Sequence, residues 1–148
     1  MKKLFVGVLC VALSLSVQGK EVNMTSPDGK YQFTLSDSGG QLHYSLTWNG
    51  KQTVKPSLLG INANVEWRDG VEMGTVDSSR KDTIWHPVYG ERSEIKDCYN
   101  AWKILVNRQN GRDKLILDVR AYDEGIAFRY HFPGGQYLKI TDEYTEYT

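Results

Sequence analysis

Disulfides are the first thing this sequence lacks. Of its two cysteines, Cys10 lies in an N-terminal apolar run and Cys98 stands alone in the remainder, so no intramolecular bridge can form and packing must hold the core. A lone cysteine could be a nucleophile, but its neighbours Asp97 and Tyr99 supply no positive charge to lower its pKa, which favours an inert buried thiol. Long apolar stretches are also missing. After Leu4 to Val17 nothing approaches the roughly 20 residues that span a bilayer. There is no sustained helical period and no internal repeat, which excludes bundles and solenoids. Nor is there a nucleophile elbow, a phosphate-binding glycine loop, an HExxH motif or an EF-hand loop. No local motif announces catalysis.

What is present starts with Met1-Lys2-Lys3 and the run up to Val17, the basic start and short apolar core of a secretory signal peptide. Val17-Gln18-Gly19 offers small residues for cleavage. A membrane anchor would need a longer run, and Cys10 lacks the Leu-Ala-Gly-type residues that precede a lipoprotein cysteine. Residues 1–19 are therefore expected to be removed. Residues 20–148 are left as one domain, periplasmic or secreted, with no membrane attachment. Losing Lys2 and Lys3 leaves 16 basic against 18 acidic residues, a formal charge of −2. Such a surface has no electrostatic reason to seek nucleic acid or anionic lipid.

The densest signal is Leu115 to Phe132. Leu115, Leu117, Val119 and Ala121 fall on one face of a first strand, and Ile126, Phe128, Tyr130 and Phe132 on one face of a second, because side chains alternate with period two. A four-residue loop from Tyr122 to Gly125 sets Val119 opposite Phe128, and Asp118 opposite Arg129 on the polar face. Earlier hairpins are predicted around Ser26-Pro27-Asp28-Gly29 and around Asn49-Gly50, with Asp37 to Gly40 as a break between them. Ser57 to Ile61 reads as one short buried strand and Val65 to Trp67 as another, with Arg68-Asp69-Gly70 as a turn. Asp77 to Thr83 is polar and aperiodic, which reads as a solvated loop. Tyr99 to Asn107 alternates again, and Asn110-Gly111 turns the chain into the dense hairpin. Pro133-Gly134-Gly135 is a breaker, and a strand is expected to start at Tyr137 to Ile140. The frequent turn signals make the fold all-β, an antiparallel sandwich. Thr141 to Thr148 keeps a strand-like pattern to the last residue, so the sandwich is expected to be incomplete at its C-terminus, with an exposed edge prone to aggregation.

Few side chains invite a chemical role. His43, His86 and His131 are too scattered for a metal site, and edge or surface histidines are the simpler account. Asp123-Glu124 could be an acid/base pair, but beside Gly125 a hairpin turn suffices. Trp67, Trp85 and Trp102 could form a sugar-stacking platform or could be core. Trp102 has apolar strand neighbours. Trp85, beside His86-Pro87, is the more open case, so Trp85 and His86 are the weak candidates for substrate binding. No catalytic and no metal-ligating residue can be assigned.

Three segments together carry a family likeness. Trp85-His86-Pro87-Val88-Tyr89-Gly90-Glu91, then Asp97-Cys98-Tyr99-Asn100, then Arg120 to Tyr130 resemble the N-terminal domain of glycoside hydrolase family 97. Ser26 to Lys30, Tyr44-Ser45-Leu46 with Asn49-Gly50-Lys51, and Ser57 to Gly60 follow the same pattern in the same order. The resemblance implies a large antiparallel super-sandwich of galactose-mutarotase type. It also implies a secreted or periplasmic, calcium-dependent exo-acting α-glucosidase or α-galactosidase acting on α-linked oligosaccharides. In that family the sandwich precedes a TIM-barrel catalytic domain and a small C-terminal β-domain. The catalytic and calcium-binding carboxylates are expected in parts this chain does not contain, so the chain alone would be catalytically silent and hold no cofactor. A free carbohydrate-binding module and an aldose-epimerase-like enzyme using His and Glu are the alternatives.

Overall fold

The computed structural model describes residues 19–109, 111–134 and 137–148. The signal-peptide run, Asn110 of the expected Asn-Gly turn and Gly135 of the breaker lie outside them. The described residues form eleven strands in order: β1 (Glu21–Thr25), β2 (Tyr31–Ser38), β3 (Gln41–Trp48), β4 (Lys51–Leu59), β5 (Ile61–Ala63), β6 (Val65–Glu66), β7 (Val71–Trp85), β8 (Ile95–Arg108), β9 (Lys114–Tyr122), β10 (Gly125–His131) and β11 (Ile140–Glu143). Every pairing is antiparallel. One sheet runs β1-β2-β3-β4, a second β10-β9-β8-β7, and a small third β11-β5-β6.

The two four-stranded sheets face each other across one core. Met24, Phe33, Leu35, Leu42 and Tyr44 come from the first, and Met73, Ile104, Val106, Leu115, Leu117 and Val119 from the second. Phe33 stacks on Tyr44 at 5.5 Å, and Phe128 meets both rings near 6 Å. Trp67 closes one end against Phe132. These are the alternating positions of the sequence, because a strand buries every second side chain.

Polar clips tie the sheets together. Asp37 accepts hydrogen bonds from the Lys20 and Met73 amides, joining β2 to β7. Asn100 donates from β8 to the Thr25 carbonyl at 2.9 Å. Asp123 accepts from the Asp28 amide at 2.9 Å, so the tip of the β9–β10 hairpin holds the β1–β2 turn. In that turn Lys30, together with the Ser26 hydroxyl, holds the Asp28 carboxyl well below the usual carboxylate range.

The dense hairpin has the expected register. Val119 pairs with Phe128, Leu117 with Tyr130 and Asp118 with Arg129. Its loop is tighter than expected, since Tyr122 and Gly125 pair and leave only Asp123-Glu124 as the turn. Asn49 and Gly50 both have positive φ, 49° and 75°, as a two-residue primed turn requires.

Three local expectations need correction. Asp77 to Thr83 is not a loop but the middle of β7, paired residue by residue with β8 from Asp97 to Lys103. It has no hydrophobic period because both its faces are exposed. Ser57 to Ile61 is not one strand. Gly60 divides it, with β4 and β5 in different sheets, and at this break the backbone passes so close that a Cβ on Gly60 would lie 3.2 Å from Arg68 Cα. The last strand starts at Ile140, not Tyr137. Beyond it, Tyr144 to Thr148 run along the edge of β4. Tyr144 donates to the Gly60 carbonyl, Glu146 to that of Leu58, and Lys55 to that of Thr148. That part of the β4 edge is therefore covered.

Candidate functional site: a projecting ribbon

Strand β9 pairs with β8 only from Tyr99 to Asn107, while β7 and β8 stay paired out to Trp85 and Ile95. The last four pairs of β7–β8, Asp82–Cys98 to Trp85–Ile95, thus form a two-stranded ribbon that extends past β9 and ends in the loop His86 to Glu94. His86 Nδ1 donates to the Ser93 carbonyl at 3.0 Å across the mouth of that loop. Trp85 and His86, the two sequence candidates, therefore sit together at the far end of the ribbon. Ile84, Val88 and Tyr89 join them as exposed apolar groups. The tryptophans do not form one platform. Trp67 is 2% exposed in the core, Trp102 is half-buried against it, and Trp85 lies seven register positions further out, roughly 23 Å along the strand.

Where the ribbon leaves the sheet, its outward face carries a cluster of cations and aromatic rings. Lys81 Nζ lies 2.6 Å from Asp97 Oδ2, and Asp97 raises the Lys81 ammonium above its ordinary pKa. The Tyr99 and Tyr122 rings are 4.9 Å apart. The Arg120 guanidinium stacks over Tyr99 at 4.7 Å and has its pKa raised by the Tyr122 hydroxyl. Ala101 and Ser79 floor a cavity of about 380 Å³ between these groups. On the same face Arg129 Nε donates to Asp118 Oδ2 at 2.8 Å, with His131 Nδ1 3.9 Å from the same oxygen. The cluster can bind and orient. It contains no nucleophile placed beside a base.

The remaining sequence candidates are dispersed. His43 lies on β3 and His131 on β10, in different sheets, and His86 on the ribbon loop. Asp123 is occupied by the Asp28 amide. Cys98 is buried on the ribbon beside Asp82. Among the described residues no group of three or more His, Cys, Asp or Glu could hold a metal ion. Sequence reasoning missed the Lys81–Tyr99–Arg120 cluster, because residues so far apart meet only through the strand register. It also missed the exposure of Ile84, Val88 and Tyr89. The apolar residues Ile84-Trp85 and Ile95 on either side of a turn-rich stretch were the available signal.

Comparison with known proteins places this geometry. A family profile described as Glycosyl-hydrolase 97 N-terminal matches residues 24–148. A retaining alpha-galactosidase of Bacteroides thetaiotaomicron is 30% identical over 99% of the chain. Among solved structures, a glycoside hydrolase family 97 enzyme from Pseudoalteromonas sp. strain K8 in complex with panose superposes with a TM-score of 0.78 at 25% identity over 85% of the chain. A beta-arabinopyranosidase gives 0.76 at 26% over 84%. The chain spans 22% of the galactosidase and 20% of each of these two structures.

Proposed function

This chain belongs to the glycosyl-hydrolase 97 N-terminal family, and from that premise we propose that it is the non-catalytic sandwich domain of a secreted α-glycosidase. The observation that carries the reading is the family match over residues 24–148 at about one fifth of the relatives' length. Hydrolysis of a glycosidic bond needs two carboxyl groups flanking it, their separation deciding inversion or retention. Among the described residues, Asp37 and Glu72 line a common cavity, but both Asp37 oxygens are taken by backbone amides. Asp118 has Arg129 on one oxygen. The family resemblance puts the carboxyl pair in a catalytic TIM barrel, which this domain supports.

The substrate of the whole enzyme is then an α-linked oligosaccharide ending in galactose or glucose, by analogy with the galactosidase and the panose complex. Calcium dependence belongs to the same reading, the family resemblance putting the ion's carboxylates in the rest of the enzyme. The signal-peptide reading of residues 1–19 makes the product periplasmic or extracellular.

Two steps test this. The nucleotide sequence beyond Thr148 is expected to encode a barrel-like catalytic part, and the whole polypeptide is expected to release p-nitrophenol from the α-galactoside, the α-glucoside or the β-arabinopyranoside, with loss of rate in a chelator. A frame with no such part, or a whole polypeptide inert on all three, would sink the proposal.

A further inference from the structure

Lys20 stands at the corner where β1, β2 and β7 meet, and each polar group it carries is engaged there. Its carbonyl accepts from the Asp37 amide at 3.0 Å, its own amide donates to Asp37 Oδ1, and its Nζ donates to the Met73 carbonyl at 2.7 Å. Asp37 Oδ2 in turn accepts from the Met73 amide at 2.7 Å, so one carboxylate joins the start of β1 to β7 of the facing sheet. The approach is close. A Cβ on Gly19 would collide with the Asp37 carbonyl oxygen, so only glycine fits at that position. Gly19 is also the small residue at which the signal-peptide reading ends the leader. Strand β1 is an edge of its sheet, and a chain terminus at such an edge frays unless something ties it down.

We propose that removal of residues 1–19 makes this corner a maturation latch, in which the new α-ammonium of Lys20 forms an ion pair with the Asp37 carboxylate. The inference rests on the signal-peptide reading of the preceding subsection and adds what that cleavage does to the fold. Hydrolysis of the Gly19–Lys20 peptide bond puts the hydroxyl of a water molecule on the Gly19 carbonyl carbon and its hydrogen on the Lys20 nitrogen, which then takes up a proton from solvent. A neutral amide donor becomes a cation, on an atom already aimed at Asp37 Oδ1. Among the described residues Asp37 has no salt-bridge partner, since the Lys20 Nζ is committed to the Met73 carbonyl. Cleavage therefore supplies the carboxylate with its counter-ion, and a hydrogen bond between two charged groups is stronger than one to a neutral donor. The uncleaved chain lacks that tie, so the edge strand is fastened to both sheets only once the leader is gone.

The whole polypeptide, expressed with its leader and recovered after export, tests the latch. Its intact mass is expected to place the first residue at Lys20. Acetylation near pH 7 favours the α-amine, whose ordinary pKa is about 7.7–8.0, over lysine side chains. The native α-amine is expected to react at least threefold more slowly than the same group in urea, and native and denatured rates within 1.5-fold of each other overturn the proposal. Asp37→Asn is expected to abolish the protection, and protection that survives it overturns the proposal as well. Because that variant also touches the Met73 hydrogen bond, a second form carries three added glycines ahead of Lys20, which keeps Asp37 and moves the amine away. It is expected to lose the protection and to be cut within β1 by a nonspecific protease at least threefold faster than the form that begins at Lys20. Equal proteolysis of the two forms overturns the latch. Retention of residues 1–19 refutes the signal-peptide reading and the latch with it, whereas a different first residue after cleavage, or an unprotected amine on Lys20, refutes the latch alone. A protected amine on a polypeptide inert towards glycosides refutes only the glycosidase reading.

Discussion

The β9–β10 hairpin and the outer half of the β7–β8 ribbon share antiparallel backbone pairing and differ in what lies against their side chains. In the hairpin Leu115, Leu117, Val119 and Ala121 are almost wholly buried, and Phe128 packs on Phe33 and Tyr44. Along β7 every residue from Thr75 through the ribbon to Trp85 is exposed. Backbone hydrogen bonds replace bonds to water and contribute little net stability each, whereas apolar burial contributes in proportion to area. The hairpin therefore holds the domain together, and the ribbon is free to serve contact.

Core truncation gives the largest expected contrast. Leu117→Ala, at a fully buried position, is expected to cost about 2–5 kcal/mol, while Ser79→Ala on the exposed stretch of β7 should stay within about 0.5 kcal/mol. Urea unfolding of the two variants measures the difference, and equal midpoints would break the comparison.

Alkaline pH should discriminate next. Burial pushes the Tyr130 hydroxyl on β10 up to about 12, against 10.0 ordinarily. A folded-state pKa raised in this way gives stability that is complete below pH 10 and is lost as pH rises through 12. The expected loss is on the order of 1–3 kcal/mol after allowing for partial exposure. Tyr130→Phe should flatten that part of the stability profile. Identical wild-type and variant slopes between pH 10 and 12 would remove the assignment.

The smallest effect compares one ion pair from each region. Arg129–Asp118 spans the hairpin and Lys81–Asp97 the ribbon, and the two cations are 70% and 47% exposed. Double-mutant cycles should give about 0.2–1 kcal/mol for Arg129–Asp118 and a weaker coupling for Lys81–Asp97. The Asp118 pair should be the stronger, because its carboxylate is only 12% exposed. A larger coupling at Lys81–Asp97 would reverse that ranking.

Burial also explains how much of this molecule was legible before the fold was known. The hairpin register followed from Leu117, Val119, Phe128 and Tyr130 alone, because a one-residue slip would turn all of them to water. Asn49-Gly50 gave its turn for a local reason, since both residues accept positive φ. Asp77 to Thr83 read as a loop because a strand exposed on both faces has no period to detect. Trp85 and His86 were flagged together, but their place at the end of a ribbon followed from the length of β8 and not from either residue.

By itself the sequence determined the all-β class, the alternating core, the hairpin register and the family likeness, since each rests on local pattern or local turn geometry. Tertiary structure alone decided that β7 continues past the sandwich, that Lys81, Tyr99 and Arg120 converge, and that Asp123 holds the Asp28 turn. Those depend on contacts between residues distant in the chain, which only the stacked register of the strands brings together.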